Sequence, residues 1–220
     1  MTSTQLLTPA GMHITSLYEH PSVKSRLKRL VDIAGALVGL AILGLVFVPL
    51  AIAIKLDSPG SVLYSQTRCG LMSKPFRIWK FRSMVEDADN LKHLVENEAS
   101  GNIFKNKNDP RVTRVGKFIR KTSLDEFPQF WNVLKGEMSL VGTRPPTTDE
   151  VAHYDSTQYK RLWVKPGITG EWQVSGRSSI EDFAHIVDMD LSYQSKWSVI
   201  YDLVLILKTV QVVFDTRDAY

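Results

Sequence analysis

A chain of 220 residues can hold one domain with a real core, or one domain plus an appended helix, but not two large catalytic lobes. Hydrophobic residues make up 44% and charged residues 23%, with a mean hydropathy of -0.10, which excludes a disordered, fibrous or polytopic membrane chain. Cys69 is the one cysteine, so there is no intramolecular disulfide framework, and the net charge of +4 equals that of a single run, Lys24, Arg26, Lys28 and Arg29. With the rest of the chain near neutral, the pI of about 9.1 is no nucleic-acid footprint.

In chain order, residues 1–22 are polar and without periodicity, which predicts a poorly ordered leader. The basic run follows, with the charge expected of a segment attracted to anionic headgroups. Next come 22 residues, Ile33 to Ile54, of which 18 are hydrophobic and none is charged. As a helix they would reach roughly 33 Å, the thickness of a bilayer's hydrocarbon core. Lys55-Leu56-Asp57, and not a small-residue cleavage site, ends the stretch, which argues against a signal peptide. Pro49 lacks an N–H and crowds the carbonyl four residues back, so a kink is expected there. A kink permits a bent crossing or a hairpin that returns to the same leaflet, and cations on both flanks are compatible with two cytoplasmic ends. The chain thus divides into a leader (1–22), a basic-flanked membrane element (23–56) and a following domain (57–220), which the resemblance given below implies is cytoplasmic.

Asp57-Ser58-Pro59-Gly60 marks a turn, and Ser61 to Gln66 with Phe76 to Met84 read as strands around an Arg68-Cys69-Gly70 turn. The spacing of Leu91, Leu94 and Val95 predicts an amphipathic surface helix over Val85 to Glu98. Ser100 to Pro110 is a polar loop, and helices are expected at Arg114 to Lys121 and Asp125 to Leu134, the latter stopped by Gly136. A short strand at Ser139 to Gly142 runs into a rigid Thr143-Arg144-Pro145-Pro146 turn. Thr148 to Leu162 and Ile180 to Gln194 read as helices, with a Gly-rich extended Lys165 to Ser175 between them. In the last segment Val199, Ile200, Leu203, Ile206, Leu207, Val210, Val213 and Phe214 recur at helical spacing. That pattern suits packing on a core or lying in a membrane interface equally well.

Chemistry is easier to exclude than to assign. The five histidines are scattered, with one cysteine there is no zinc-type spacing, and no Walker A loop, G-x-G-x-x-G or G-x-S-x-G is present. Asp188-Met189-Asp190 has the form of a metal-binding Asp-x-Asp, but its helical setting places both acids on a solvent face. Ser123-Leu124-Asp125-Glu126 reads first as a capping box. The company of cations raises it above a helix start: Arg111, Arg114, Lys117, Arg120 and Lys121 precede the acids, and Arg144 follows on the proline turn. Arginine grips phosphate bidentately, Mg²⁺ bridges carboxylate to phosphate oxygens, and a carboxylate can accept a phosphoryl group covalently.

Five ordered motifs then carry a resemblance. They are Lys80-Phe81-Arg82-Ser83-Met84, Asp109-Pro110-Arg111-Val112-Thr113, Arg120 to Glu126, Leu140 to Pro145, and Lys165 to Gly170 with Trp172 to Arg177. From about Lys28 to the C-terminus the chain resembles the bacterial sugar transferases, monotopic polyprenyl-phosphate phosphoglycosyl transferases. The resemblance implies an α+β, mostly helical fold with a re-entrant membrane hairpin broken at Pro49, a small β-element and amphipathic interfacial helices. It also implies an enzyme that transfers a sugar 1-phosphate from a UDP-sugar to undecaprenyl phosphate, releasing UMP at the cytoplasmic face of the bacterial inner membrane, to start exopolysaccharide, capsule or O-antigen glycans.

By the same resemblance Asp125 is the nucleophile of a covalent phosphosugar intermediate, and Glu126 assists; the two together are the Mg²⁺ ligands. Arg120, Arg144 and Lys80 are implied phosphate or nucleotide contacts, as are Arg82, Arg111, Gln173 and Arg177. The implied partners are the UDP-sugar, undecaprenyl phosphate and membrane lipid; a homodimer is compatible with this reading and nucleic acid is not. The family often has Gly-Pro-Arg-Pro where this chain has Gly142-Thr143-Arg144-Pro145, which loosens the turn but keeps Arg-Pro. Larger members carry several spans ahead of this unit, so the sequence reads as a minimal catalytic form. The competing reading is an inactive membrane-anchored scaffold for glycan assembly.

Overall fold

A computed structural model of the chain describes residues 19–104, 106–176, 180 and 182–214. A short helix α1 (Pro21–Lys24) leads into α2 (Arg26–Asp57), 32 residues capped by the Ser25 hydroxyl on the Lys28 amide. Residues 1–18 of the expected leader lie outside the described residues. At the end of that leader His20 and Ser22 are buried, with His20 bonded to the Gln194 carbonyl and edge-on to Trp197. No loop interrupts α2: Pro49 sits inside the helical run, on an apolar helix where Leu45 is 81% exposed. Among the described residues one helix, Arg26–Asp57, has the length and composition to cross a membrane.

The two strands β1 (Leu63–Cys69) and β2 (Pro75–Phe81) pair antiparallel, Leu63 opposite Phe81 and Cys69 opposite Pro75. The turn between them falls at 70–74, later than the sequence indicated, because Met72 and Ser73 both take left-handed backbone and Gly70 donates to the Lys74 carbonyl. The helix expected over Val85 to Glu98 does not form; turns and one 3-10 turn at Lys92–Leu94 stand there instead. Asp87 is left-handed, which breaks any helix at its first turn, and Leu94 is 71% exposed, so the apolar stripe has no core to reward it.

Helix α3 (Arg114–Lys121) is capped by Thr113. Ser123 then turns left-handed with φ 55° and makes no capping bond, so the expected capping box is absent. Leu124–Glu126 is a 3-10 turn, and α4 (Gln129–Lys135) begins only after Pro128, which cannot donate to a continuing helix. The parallel pair β3 (Ser139–Val141) and β4 (Gly167–Thr169) is joined by α5 (Thr148–Ala152), α6 (Ser156–Tyr159) and a 3-10 turn. Thr148 to Leu162 is therefore not one helix: Asp155 starts a second one with its own capping box. Part of the expected extended stretch after Lys165 is the helical turn α7 (Glu171–Val174), and α8 (Phe183–Lys196) and α9 (Val199–Phe214) close the chain.

Three apolar clusters hold these elements together. Tyr154, Tyr159, Leu162, Trp172, Phe183 and Ile186 form one. Ala36 of α2 joins Phe76, Val133, Val141, Tyr193 and Leu205 in the second, and Leu50 and Ile54 of α2 join Phe81 and Ile119 in the third. The long apolar helix thus shares its core with the residues that follow it, along both halves of its length.

Half of the basic run, Lys28 and Arg29, is structural, while Lys24 and Arg26 stay exposed. Buried Lys28 donates to Asp202 (2.5 Å) and the Val141 carbonyl, and Arg29 caps α4 by donating to the Val133 and Leu134 carbonyls. The solvent face expected for both acids of Asp188-Met189-Asp190 is also corrected, since Asp190 is buried against Arg161 at 2.7 Å. On α9, Ile200, Leu203, Leu207 and Val210 are exposed while Asp202 and Leu205 are buried. Of the two readings left open for this helix, the core reading fails for that apolar face.

Candidate active site

The acids sit on the tight turn between α3 and α4. Leu124 points its side chain into the cluster of Leu50, Ile54, Phe81 and Ile119, which anchors the turn on α2 and β2. Asp125 is 5% exposed, and next to it the Glu126 carboxylate accepts a hydrogen bond from Lys80 Nζ at 2.7 Å. Strand alternation brings Lys80 there: in the β1–β2 register it lies opposite Tyr64, on the face that also carries Arg68.

The far end of β1 grips the proline turn. Arg68 Nη1 donates to the Pro145 carbonyl at 3.0 Å, the Cys69 amide donates to Pro146, and Arg68 bridges Thr147. That docks Arg144, whose Nη1 reaches Glu150 at 3.3 Å, beside Arg68. Burial, and then the Arg144 charge, push the Arg68 guanidinium down to about 10, with Glu150, Tyr64 and Glu126 opposing. It remains a cation at neutral pH. Burial and a hydrogen bond to Asp89 raise the Tyr64 phenol to about 12, so it stays a neutral hydroxyl.

Of the residues expected at the site, Asp125, Glu126, Lys80 and Arg144 come together around this face. Arg120 leaves the last turn of α3 and donates to the Ser83 hydroxyl at 2.8 Å, and Gly116 makes that approach feasible: a Cβ there would lie 1.9 Å from the Ser83 carbonyl oxygen. Gln173 lies on α7, and its buried Oε1 accepts no hydrogen bond; it is beside Gly170, which packs on the Gly142 carbonyl just ahead of Arg144. Arg177 lies outside the described residues.

Two expected phosphate contacts are engaged elsewhere. Arg82 donates to the Ser58 and Pro59 carbonyls and closes the turn after α2. Arg111 is buried in a bidentate pair with Asp109 (2.9 and 2.6 Å) and donates also to the Ala88 carbonyl. Both arginines belong to motifs of the resemblance, yet their guanidinium groups brace loops. Arg68, by contrast, falls in the Arg68-Cys69-Gly70 run that reads as a turn in the sequence. Its signal was the alternation Tyr64-x-Gln66-x-Arg68, which continues the strand two residues past Gln66.

Among the described residues no group of three or more His, Cys, Asp or Glu forms a metal cage. Two adjacent carboxylates are nevertheless the usual protein share of a Mg²⁺ site that substrate phosphates complete, so the donor set of Asp125 and Glu126 fits that ion.

The model of the bacterial sugar transferase family matches residues 23–216. The chain belongs to that family. It is 54% identical over 188 residues to the galactosyl transferase CpsE of Streptococcus agalactiae, covering 84% of this chain and 42% of that protein. It is 42% identical over 225 residues to the UDP-glucose:undecaprenyl-phosphate glucose-1-phosphate transferase of Escherichia coli, covering 96% of this chain and 45% of that one. The exopolysaccharide production protein ExoY of Rhizobium meliloti is 39% identical over 202 residues, 88% of each chain. The chain thus spans less than half the length of the first two relatives.

Proposed function

We propose that this bacterial sugar transferase chain moves a sugar 1-phosphate from a UDP-sugar to undecaprenyl phosphate at the cytoplasmic face of the plasma membrane. The reading rests on one observation: a buried carboxylate, Asp125, beside a face that carries Lys80, Arg68 and Arg144, on a turn packed against the apolar helix α2.

In the first step an Asp125 carboxylate oxygen attacks the sugar-bearing phosphorus, the bond from that phosphorus to the oxygen bridging to UMP breaks, and UMP departs with the electron pair. In the second step a phosphate oxygen of the lipid attacks the same phosphorus and the acyl phosphate bond breaks, which returns Asp125 as a carboxylate. The product is a diphosphate-linked lipid sugar, and no oxidant or water is consumed. Glu126, fixed by Lys80, holds negative charge next to the nucleophile and keeps Lys80 in place; Arg144 offers a planar donor fork to phosphate oxygens. When bound, Mg²⁺ would neutralise phosphate charge at these carboxylates.

A lipid acceptor requires the site to sit at the membrane surface, and having both ends of α2 on one side would fix it at that height. That topology is supported by the contacts of α2: Lys28 near its start is tied to Asp202, and Ile54 near its end packs on Phe81 and Ile119. A helix crossing about 30 Å of hydrocarbon could not offer both ends to one soluble domain.

The test is UMP release by the purified chain given UDP-sugar, polyprenyl phosphate and Mg²⁺. Asp125→Asn should abolish it, and release undiminished in that variant would overturn the mechanism. A screen of UDP-glucose and UDP-galactose in the same assay identifies the donor.

A further inference from the structure

Arg68 is held by the fold with less than its guanidinium can use. Nη1 is bonded to the Pro145 carbonyl, while Nε is closed off from water and donates to nothing. Its neighbour is a second guanidinium, Arg144. The acids that offset this pair are both engaged: Glu150 accepts from Arg144 Nη1 and from the Thr147 amide, and Glu126 accepts from Lys80. Two guanidinium groups therefore stand side by side while the acids that offset them are shared with other donors, and one guanidinium edge lacks an acceptor. Like charges packed together and a donor left unsatisfied are both costly in a partly buried place. An anion with several oxygens offsets the like charges, and the planar donor fork of an arginine matches a phosphate bidentately.

We propose that Arg68 is a substrate-binding residue that, together with Arg144, binds phosphate oxygens of the donor diphosphate or of the lipid phosphate. This rests on the phosphoglycosyl-transfer reading given above. Arg68 reaches this position because the β1–β2 register puts it on the same face as Lys80, and because the end of β1 docks on the proline turn that carries Arg144.

The experiment uses the full chain in detergent or lipid, with Arg68→Gln and Arg68→Lys. Wild-type UMP release first tests the transfer reading itself. Steady-state kinetics should then show Arg68→Gln raising the KM of one phosphate substrate by at least about tenfold, with Arg68→Lys intermediate because it keeps the charge and loses the fork. The substrate whose KM moves identifies the source of the phosphate. Binding separates contact from general damage: UDP or polyprenyl phosphate should weaken in Arg68→Gln, while uridine and polyprenol, which lack phosphate, should not. Unchanged KM for both substrates overturns the proposal. So does equal weakening of phosphorylated and phosphate-free ligands together with a lower melting temperature. Should the wild type release no UMP, the transfer reading fails, and the binding comparison still decides the anion site.

Discussion

Asp109 and Arg111 show how a single buried pair sets pH behaviour. Arg111 donates to both Asp109 oxygens, and this, against the opposing effect of burial, holds the carboxyl below its ordinary value of 3.8. A carboxylate whose folded pKa is depressed contributes stability that is present above about pH 4 and lost as pH falls through the lower folded value. Thermal melts of the chain in micelles at about pH 5 and about pH 3 should show that loss. Asp109→Asn, destabilised by roughly 2–4 kcal/mol at neutral pH through the buried unpaired Arg111, should depend less on pH over the same interval. Gly116 acts through a close approach instead. Its missing Cβ would meet the Ser83 carbonyl oxygen at 1.9 Å and the carbonyl carbon at 2.7 Å, backbone atoms that cannot rotate away. Gly116→Ala should cost on the order of 2–3 kcal/mol and, by displacing Arg120 from Ser83, reduce UMP release as well.

Between elements, α2 and α9 share an apolar cluster and one buried ion pair. Lys28 and Asp202 are both buried, and Asp202 also accepts from the Tyr193 hydroxyl (2.8 Å) and Trp197 Nε1 (3.1 Å). Removing one partner strands a charge in a place without water. Lys28→Met should therefore destabilise by about 3–5 kcal/mol, and Lys28→Met with Asp202→Asn should regain much of it. Chemical denaturation in micelles measures both, and a double variant no more stable than the single one would contradict the pairing account. The same tie orients α9: with Asp202 and Leu205 turned inward, Ile200, Leu203, Leu207 and Val210 are left outward as an apolar face.

For the whole molecule the consequential question is on which side of the membrane the ends of α2 lie. Single cysteines at Glu19 and Thr67, both exposed, can be labelled from either side once buried Cys69 has been changed to serine. Same-side labelling is expected, since β3 and α9 hold one end of the helix and β2 and α3 hold the other. Opposite-side labelling would require the domain to part from one half of α2 and would expose the cluster around Leu50 and Ile54.

Much of this was legible in the residues themselves. The 22-residue apolar stretch defined a long helix, Gly136 stopped α4, and the ordered motifs around Asp125, Glu126 and Arg144 marked the family. These features depend on local propensity and on residue type, which a linear string carries in full. Burial and partnership were not legible. Lys28 and Arg29 look like Lys24 in sequence, yet their ammonium and guanidinium groups serve Asp202 and the end of α4. Arg82 and Arg111 look like Arg144 yet brace loops, whereas Arg68, passed over as a turn residue, stands beside the acids. The amphipathic pattern of Val85 to Glu98 came to nothing because no core lies against it. A charge or an apolar stripe acquires its role from what faces it across the fold, and the residues that face one another here are up to 174 positions apart.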